Sequence, residues 1–469
     1  MSPVTRREQR LSTEKSWHRA RLIPTSGING ADEQERRATS ALLAVVSSVK
    51  EFGRTLTRRV GAPGGRIDTF VEVPFETDGR KLYPDGLIRV TRGSKSWTAL
   101  VEVKTGANEL QVQQLETYLD IAKREGFDAV VTISNEIPGS AGEHPTCVDK
   151  RKLRKVELHH LSWTLILSDA VMEKTHRGVA DPDQAWILGE LIRYLEHPKS
   201  GALEFDDMGP HWVETRNAAR AGTLRSTDRG ASAITARFDQ LLRFISLRLG
   251  RELGTDVQLA LSRTEARDPA ARSQALLADL TDNGRLSGAL RIPDAVGPLS
   301  LCADLRAAQI SATVEIAAPG QGRNTTRARW LLRQLADAPE DLRIDAYTRN
   351  GRSSMSALLR DVRENTDVLI EDRNRELRRY VLHLTEPMGT KRGNGRGSFI
   401  ASMTDLVDRF YTQVVQSLRP WTPPAPQMRK PQQTTTDTTA VSSQDGSDNH
   451  DPAVDDAEPT TTAQSDSEP

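Results

Sequence analysis

Cysteine occurs only twice in the 469 residues of this chain, at Cys147 and Cys302. The two are far apart in sequence and in no metal-binding spacing, and no Cys/His pattern of a zinc site appears. They read as reduced thiols of a cytoplasmic protein. No apolar run approaches the ~20 residues needed to span a bilayer. The N-terminus is polar and basic and lacks the apolar core of a secretory signal. A helical membrane span and a secretory signal are therefore not expected, and the sequence leaves open whether the two cysteines meet. A glycine-spaced run, Gly389 to Gly397, lacks the Gly-Lys-Ser/Thr ending of a P-loop, so an ATPase is not indicated. His159 and His160 are adjacent on an expected strand and point opposite ways, which suits structural or substrate-facing histidines better than ligands.

Net charge is also missing: 64 Lys and Arg balance 64 Asp and Glu. The balance hides an asymmetry. From Pro431 to Pro469 there are nine Asp or Glu and no Lys or Arg, which leaves 64 basic against 55 acidic groups in the other 430 residues. That tail is rich in Thr, Ser, Asp and Gln and has too little apolar surface to fold, so it reads as disordered. The basic residues cluster. Lys150, Arg151, Lys152, Arg154 and Lys155 form one group, and Lys391, Arg392 and Arg396 form another among glycines in what reads as a flexible loop. Either group suits phosphates, although solvated surface explains each one equally well alone.

The most informative residues are Tyr83-Pro84-Asp85-Gly86 and, seventeen positions after Asp85, Glu102-Val103-Lys104. The stretches Leu82 to Val90 and Trp97 to Lys104 read as strands joined by a loop at residues 91–96. On a strand, Glu102 and Lys104 share a face while Val101 and Val103 take the other. A neighbouring strand can bring Asp85 beside them. Two close carboxylates suit a hard divalent cation such as Mg2+ or Mn2+. A nearby lysine can orient a water or stabilise developing charge on phosphorus.

The letters Pro84-Asp85 and Glu102-x-Lys104 resemble the PD-(D/E)xK nuclease superfamily, with its restriction-endonuclease-like fold. Gln114 and Tyr118 lie four apart on the helix expected from near Asn108, hence on one face. Their placement after the Glu-x-Lys strand is similar to the RecB-type members. The resemblance covers about residues 31–175. It implies a Mg2+-dependent nuclease in which Asp85 and Glu102 hold metal, Lys104 acts on the water, and Gln114 and Tyr118 support the site or touch substrate. It also implies a carboxylate from an earlier helix. In the helix expected over Ala31 to Leu56, Glu35 continues the apolar stripe of Ala38, Leu42, Val45, Val49 and Phe52, whereas Glu33 falls opposite. Glu35 is therefore the expected third metal ligand.

The expected fold class is α/β: a mixed central sheet with flanking helices, then a helical region, a C-terminal α+β domain and an acidic tail. The expected divisions are a basic flexible N-terminus at 1–30, the nuclease-like domain at 31–175, a mainly helical region at 176–290, an α+β domain at 291–421 and the tail at 422–469. In the first domain, strands are expected at Phe70 to Phe75, Phe127 to Ser134 and Val156 to Leu161, followed by a helix at Trp163 to Lys174. In the last domain, Met355 to Glu364 is expected as a helix. The expected activity is phosphodiester hydrolysis, chiefly of DNA, in repair or in defence against foreign DNA. Two other readings stay open: a nuclease-like fold that binds nucleic acid or protein without cutting, and a stress-associated interaction protein. The C-terminal domain is expected to bind a partner or substrate or to dimerise, so a homodimer also stays open.

Overall fold

The computed structural model of the chain describes residues 22–23, 30–77, 79–138, 144–349, 354–372, 374–423 and 425. The acidic tail and nearly all of the basic N-terminal stretch lie outside these residues. The described part is a mixed α/β protein with two main sheets.

The first sheet has five strands in the order β1 (Arg66–Val71), β4 (Gly86–Arg92), β5 (Lys95–Val103), β6 (Ala129–Ser134) and β7 (Glu157–Ser162). The short pair β2 (Phe75–Thr77) and β3 (Arg80–Leu82) stands apart as a hairpin. Strands β1, β4 and β5 run antiparallel, and β5, β6 and β7 run parallel. Every residue of β6 is buried, as expected for a parallel strand covered on both faces. Helix α1 (Ala31–Ser48), α2 (Lys50–Arg59), α4 (Trp163–Val171) and α5 (Pro182–Leu195) supply one core through Leu42, Val46, Phe52, Trp163, Leu188 and Leu191, packed against Val101, Val103 and Val131. Helix α3 (Val112–Glu125) covers the opposite face, where Leu119, Ile121 and Ala122 meet Leu100 and Val130.

Several boundaries differ from the expectations. The helix expected over Ala31 to Leu56 breaks at Val49, whose backbone is extended. The break presses Gly53 against its neighbour: an added Cβ would lie 2.1 Å from the Val46 carbonyl oxygen, so only glycine fits. The first strand is Arg66–Val71 rather than Phe70 to Phe75. Glu72 stops it with φ +51°, and Phe75 turns away into the β2–β3 hairpin. The stretch read as one strand from Leu82 to Val90 is two, because Tyr83 to Asp85 link β3 to β4. Helix α3 starts at Val112, not near Asn108, which lies in a turn closed by its amide on the Thr105 carbonyl at 3.2 Å. Helix α4, expected over Trp163 to Lys174, ends at Val171 and continues as one π-helical turn through Arg177.

The second sheet has seven strands, all antiparallel: β13 (Ser354–Leu358), β12 (Arg343–Thr348), β14 (Leu377–Pro387), β11 (Gln309–Ala317), β10 (Leu299–Asp304), β9 (Arg285–Arg291) and β8 (Gln258–Leu259). Its core is shared with the long helix α6 (Arg229–Leu253), which presents Phe238, Leu241, Leu242, Ile245 and Leu249 at helical spacing. The helix expected from Met355 is a strand up to Leu358; helix begins only at Leu359. Residues 354–358 pair with the edge of β12, and that ladder overrides the local helical pattern. Among the described residues, no helix is long and apolar enough to cross a membrane.

Candidate active site

Asp85, Glu102, Lys104 and Glu35 converge at the end of β5. Asp85 stands just before β4, and its carboxylate accepts the Val103 amide at 2.7 Å. This bond fixes one strand's entry against its neighbour's exit. Gly86, next to Asp85, leaves room for Leu43 of α1, whose side chain a Cβ there would meet at 2.4 Å. Glu102 is one residue earlier on β5, with a side chain only 2% exposed. Lys104 follows β5; its amide bonds the Ile133 carbonyl at 2.7 Å, and its own carbonyl takes the Trp163 indole N–H at 2.9 Å. The ammonium reaches Glu102 Oε1 at 2.8 Å and Glu35 Oε2 at 3.2 Å.

The helix carboxylate is placed as the stripe argument expected. Glu35 turns inward to Lys104, and its second oxygen takes the Asn108 side-chain N–H. Glu33 pairs instead with Arg37, one helical turn along, at 2.7 Å. On α3, Gln114 Nε2 donates to Tyr118 Oη at 3.1 Å, and the Tyr118 ring is buried beside the site. Burial, then the Glu102 charge, holds the Tyr118 phenol well above its ordinary range.

The electrostatics are those of two acids forced together. Burial first, and then the charge of Asp85, pushes Glu102 up to about 7, against the pull of Lys104. Burial also raises Asp85, opposed by its bond from Val103 and by Lys104. Lys104 is driven above its ordinary range by Glu102 and Glu35, which outweigh its own desolvation. Glu102 Oε2 is buried with no hydrogen-bond partner. A buried carboxylate oxygen left so is costly, and a proton or a cation would relieve it. No group of three His, Cys, Asp or Glu among the described residues forms a ligand set. Mg2+, however, needs only one or two carboxylates, with water and substrate oxygens completing its shell. Asp85 and Glu102 fit that requirement.

Asp85 opens onto a cleft of about 660 Å3 lined also by Arg36, Thr39, Ser40, Val71, Glu72 and Tyr83. The two basic clusters lie differently. Lys150, Arg151, Lys152 and Arg154 precede β7, at the opposite end of the parallel strands from Glu102, and Lys152 is held by Asp120 at 2.5 Å. Lys391, Arg392 and Arg396 are exposed on a loop that is docked. The Met208 amide bonds the Arg392 carbonyl at 3.0 Å, Arg392 pairs with Asp207 at 3.1 Å, and the Trp212 indole caps the Thr390 carbonyl at 3.1 Å. Asp207 in turn holds Arg237 through its carbonyl, and the charge of Arg237 reaches Glu136 just beyond β6. The loop therefore sits on the side where β5 and β6 end.

Several residues of the site carried no sequence signal. Asn108 and Asn135 lie in loops; Asn135 ties the Gly106 and Gly201 carbonyls at 3.0 and 2.8 Å. Thr132 is the register partner of both Glu102 and His160. Its hydroxyl meets His144 Nε2 and His160 Nδ1, each at 2.8 Å. Only the cross-strand register, which the sequence does not carry, brings these together. The cysteines are unpaired, as expected. In comparisons with known proteins, the chain matches no family model and no curated protein.

Proposed function

We propose that this chain is a metal-dependent nuclease of the PD-(D/E)xK type, with a restriction-endonuclease-like core, that hydrolyses phosphodiester bonds in DNA during repair or defence. The observation that carries the reading is the pairing of half-buried Asp85 with buried Glu102, with Glu102 Oε2 lacking a donor and Lys104 locked 2.8 Å from Oε1. A structural ion pair needs one acid for one base; here Asp85 and Glu35 crowd the same base as Glu102. Asp85 and Glu102 would hold Mg2+ or Mn2+, with Glu35 as a further carboxylate at the edge. When bound, the ion would acidify water and neutralise charge on the phosphoryl oxygens. Lys104 would direct its ammonium at the attacking water or at the charge that develops on phosphorus. Gln114 and Tyr118, bonded to each other, would support the site beside Glu102 or touch substrate, and Glu35 and Asn108 would hold the Lys104 side chain.

The test is cleavage of single- and double-stranded DNA and RNA by the purified full chain, with Mg2+, Mn2+ or chelator. Metal-dependent cleavage lost in both Asp85→Asn and Glu102→Gln is expected. Binding without cleavage under every divalent ion would replace this reading with that of a binding module.

A further inference from the structure

One wall of the cleft takes no part in that chemistry. Tyr83 is 53% exposed, and it lines the cleft that ends on Asp85. A single exposed aromatic is ordinary; the backbone beneath this one is not. Pro84, which is buried, follows it, and a residue before proline is confined to extended conformations. Tyr83 and Asp85 both line the cleft.

Both ends of this short link are pinned. Leu82 pairs with Phe75, and Gly86 pairs with Val71 and Val101. Glu72, which also lines the cleft, takes φ +51° and gives its amide to the Asp85 carbonyl at 3.3 Å. A non-glycine residue held at positive φ is strain that the surroundings must maintain. Here it holds the end of β1 against the backbone of Asp85 and so fixes a second part of the cleft lining. Arg36 lines the cleft too, with a side chain 73% exposed and only a 4.0 Å contact to Glu72. So loose a surface pair is worth little and leaves the guanidinium available to an anion.

We propose that Tyr83 is a stacking platform for an unpaired nucleobase beside the scissile phosphate, with Arg36 on a neighbouring phosphate. The polymer's identity rests on the nuclease reading; the stacking geometry does not. Inside a duplex the faces of each base are covered by its neighbours, so the platform admits only single strands, frayed ends or flipped bases. The substrate class is therefore unpaired nucleic acid rather than intact duplex. Stacking reads the π-face that all bases share, so the subsite accepts any of them.

The experiment measures binding of a single-stranded oligonucleotide and of a blunt duplex of the same sequence, in the full chain carrying Glu102→Gln so that neither is cut. Adding Tyr83→Ala should weaken single-strand binding ~10-fold and leave duplex binding within about twofold, and Tyr83→Phe should restore the single-strand value. Tyr83 is half exposed, so neither change threatens folding. A 2-aminopurine base in the single strand should be quenched by the Tyr83 protein and not by the Ala variant. An unchanged single-strand affinity, an equal loss on duplex, no rescue by phenylalanine, or no nucleic-acid binding at all would each overturn the proposal. Cleavage by the wild-type chain is scored separately. Stacking without cleavage would remove the nuclease reading alone, and cleavage without a Tyr83 effect would remove this subsite alone.

Discussion

Lys104 is held between Glu102 and Glu35 before any substrate arrives, and this decides what its removal should do. If the ammonium acts on the water or on transition-state charge, Lys104→Ala should slow cleavage by ~100-fold or more and leave nucleic-acid affinity nearly unchanged. Equal loss of binding and rate would instead mark Lys104 as a phosphate contact. Single-turnover rates and equilibrium binding on the same oligonucleotide separate the two outcomes. The pairing of Glu35 was legible because α1 carries its apolar residues at a strict three-and-four spacing, and Glu35 extends that stripe. Asn108, which completes the Glu35 contacts, was not legible. Its position depends on the turn after Lys104, and no periodicity reports where a turn points.

At the scale of elements, alternation along β5 was enough to put Glu102 and Lys104 on one face. It was not enough to show which residue of β6 or β7 stands beside them. That register places His160 in the same row as Glu102, two strands over, with His144 sharing its Thr132 partner. His160 Nε2 also bonds the Glu136 carbonyl at 2.9 Å. Burial, helped by the neighbouring His144, lowers His160 to about 4 in the folded chain although the Glu136 bond opposes it. An unfolded histidine titrates near 6.5, so the folded state binds fewer protons between these values. The stability from neutral His160 is full above pH ~6.5 and is lost as pH falls towards ~4, by at most about 3 kcal/mol. Urea unfolding at pH 7 and pH 4.5 should show wild type losing more stability than His160→Gln; parallel losses would refute the assignment. The expectations that failed among the elements share a cause. Val49 and residues 355–358 have locally helical patterns, but a tight helix–helix contact at Gly53 and an open strand edge at β12 outweigh them.

Across the whole molecule, the two basic clusters should behave differently. The Lys391–Arg396 loop lies on the side where β5 and β6 end, and the 150–155 cluster lies at the other end of the parallel strands. Replacing Lys391 and Arg396 with alanine should flatten the log–log salt dependence of DNA binding by about one to two. The same change at Lys150 and Lys155 should leave the slope as it was. A shift produced by the second pair and not the first would place the substrate along the opposite edge. Sequence marked both clusters as basic but gave no sign of this difference, because it arises from Asp207, Arg237 and Glu136 contacts between distant segments.

The short link after β6 has a wider consequence. Asn135 ties the loops around the candidate active site, and two residues on, Ile137 is buried in the core of the second sheet, in the same cluster as Phe205, Met208 and Trp212. A segment that completes the site in one half is thus a packing residue of the other. The first half is not a cassette that can be cut out and grafted elsewhere: excised, it would carry an uncovered isoleucine on the loop that steadies Lys104. An insertion or fusion between the halves would be felt at the candidate active site, because one short link serves both.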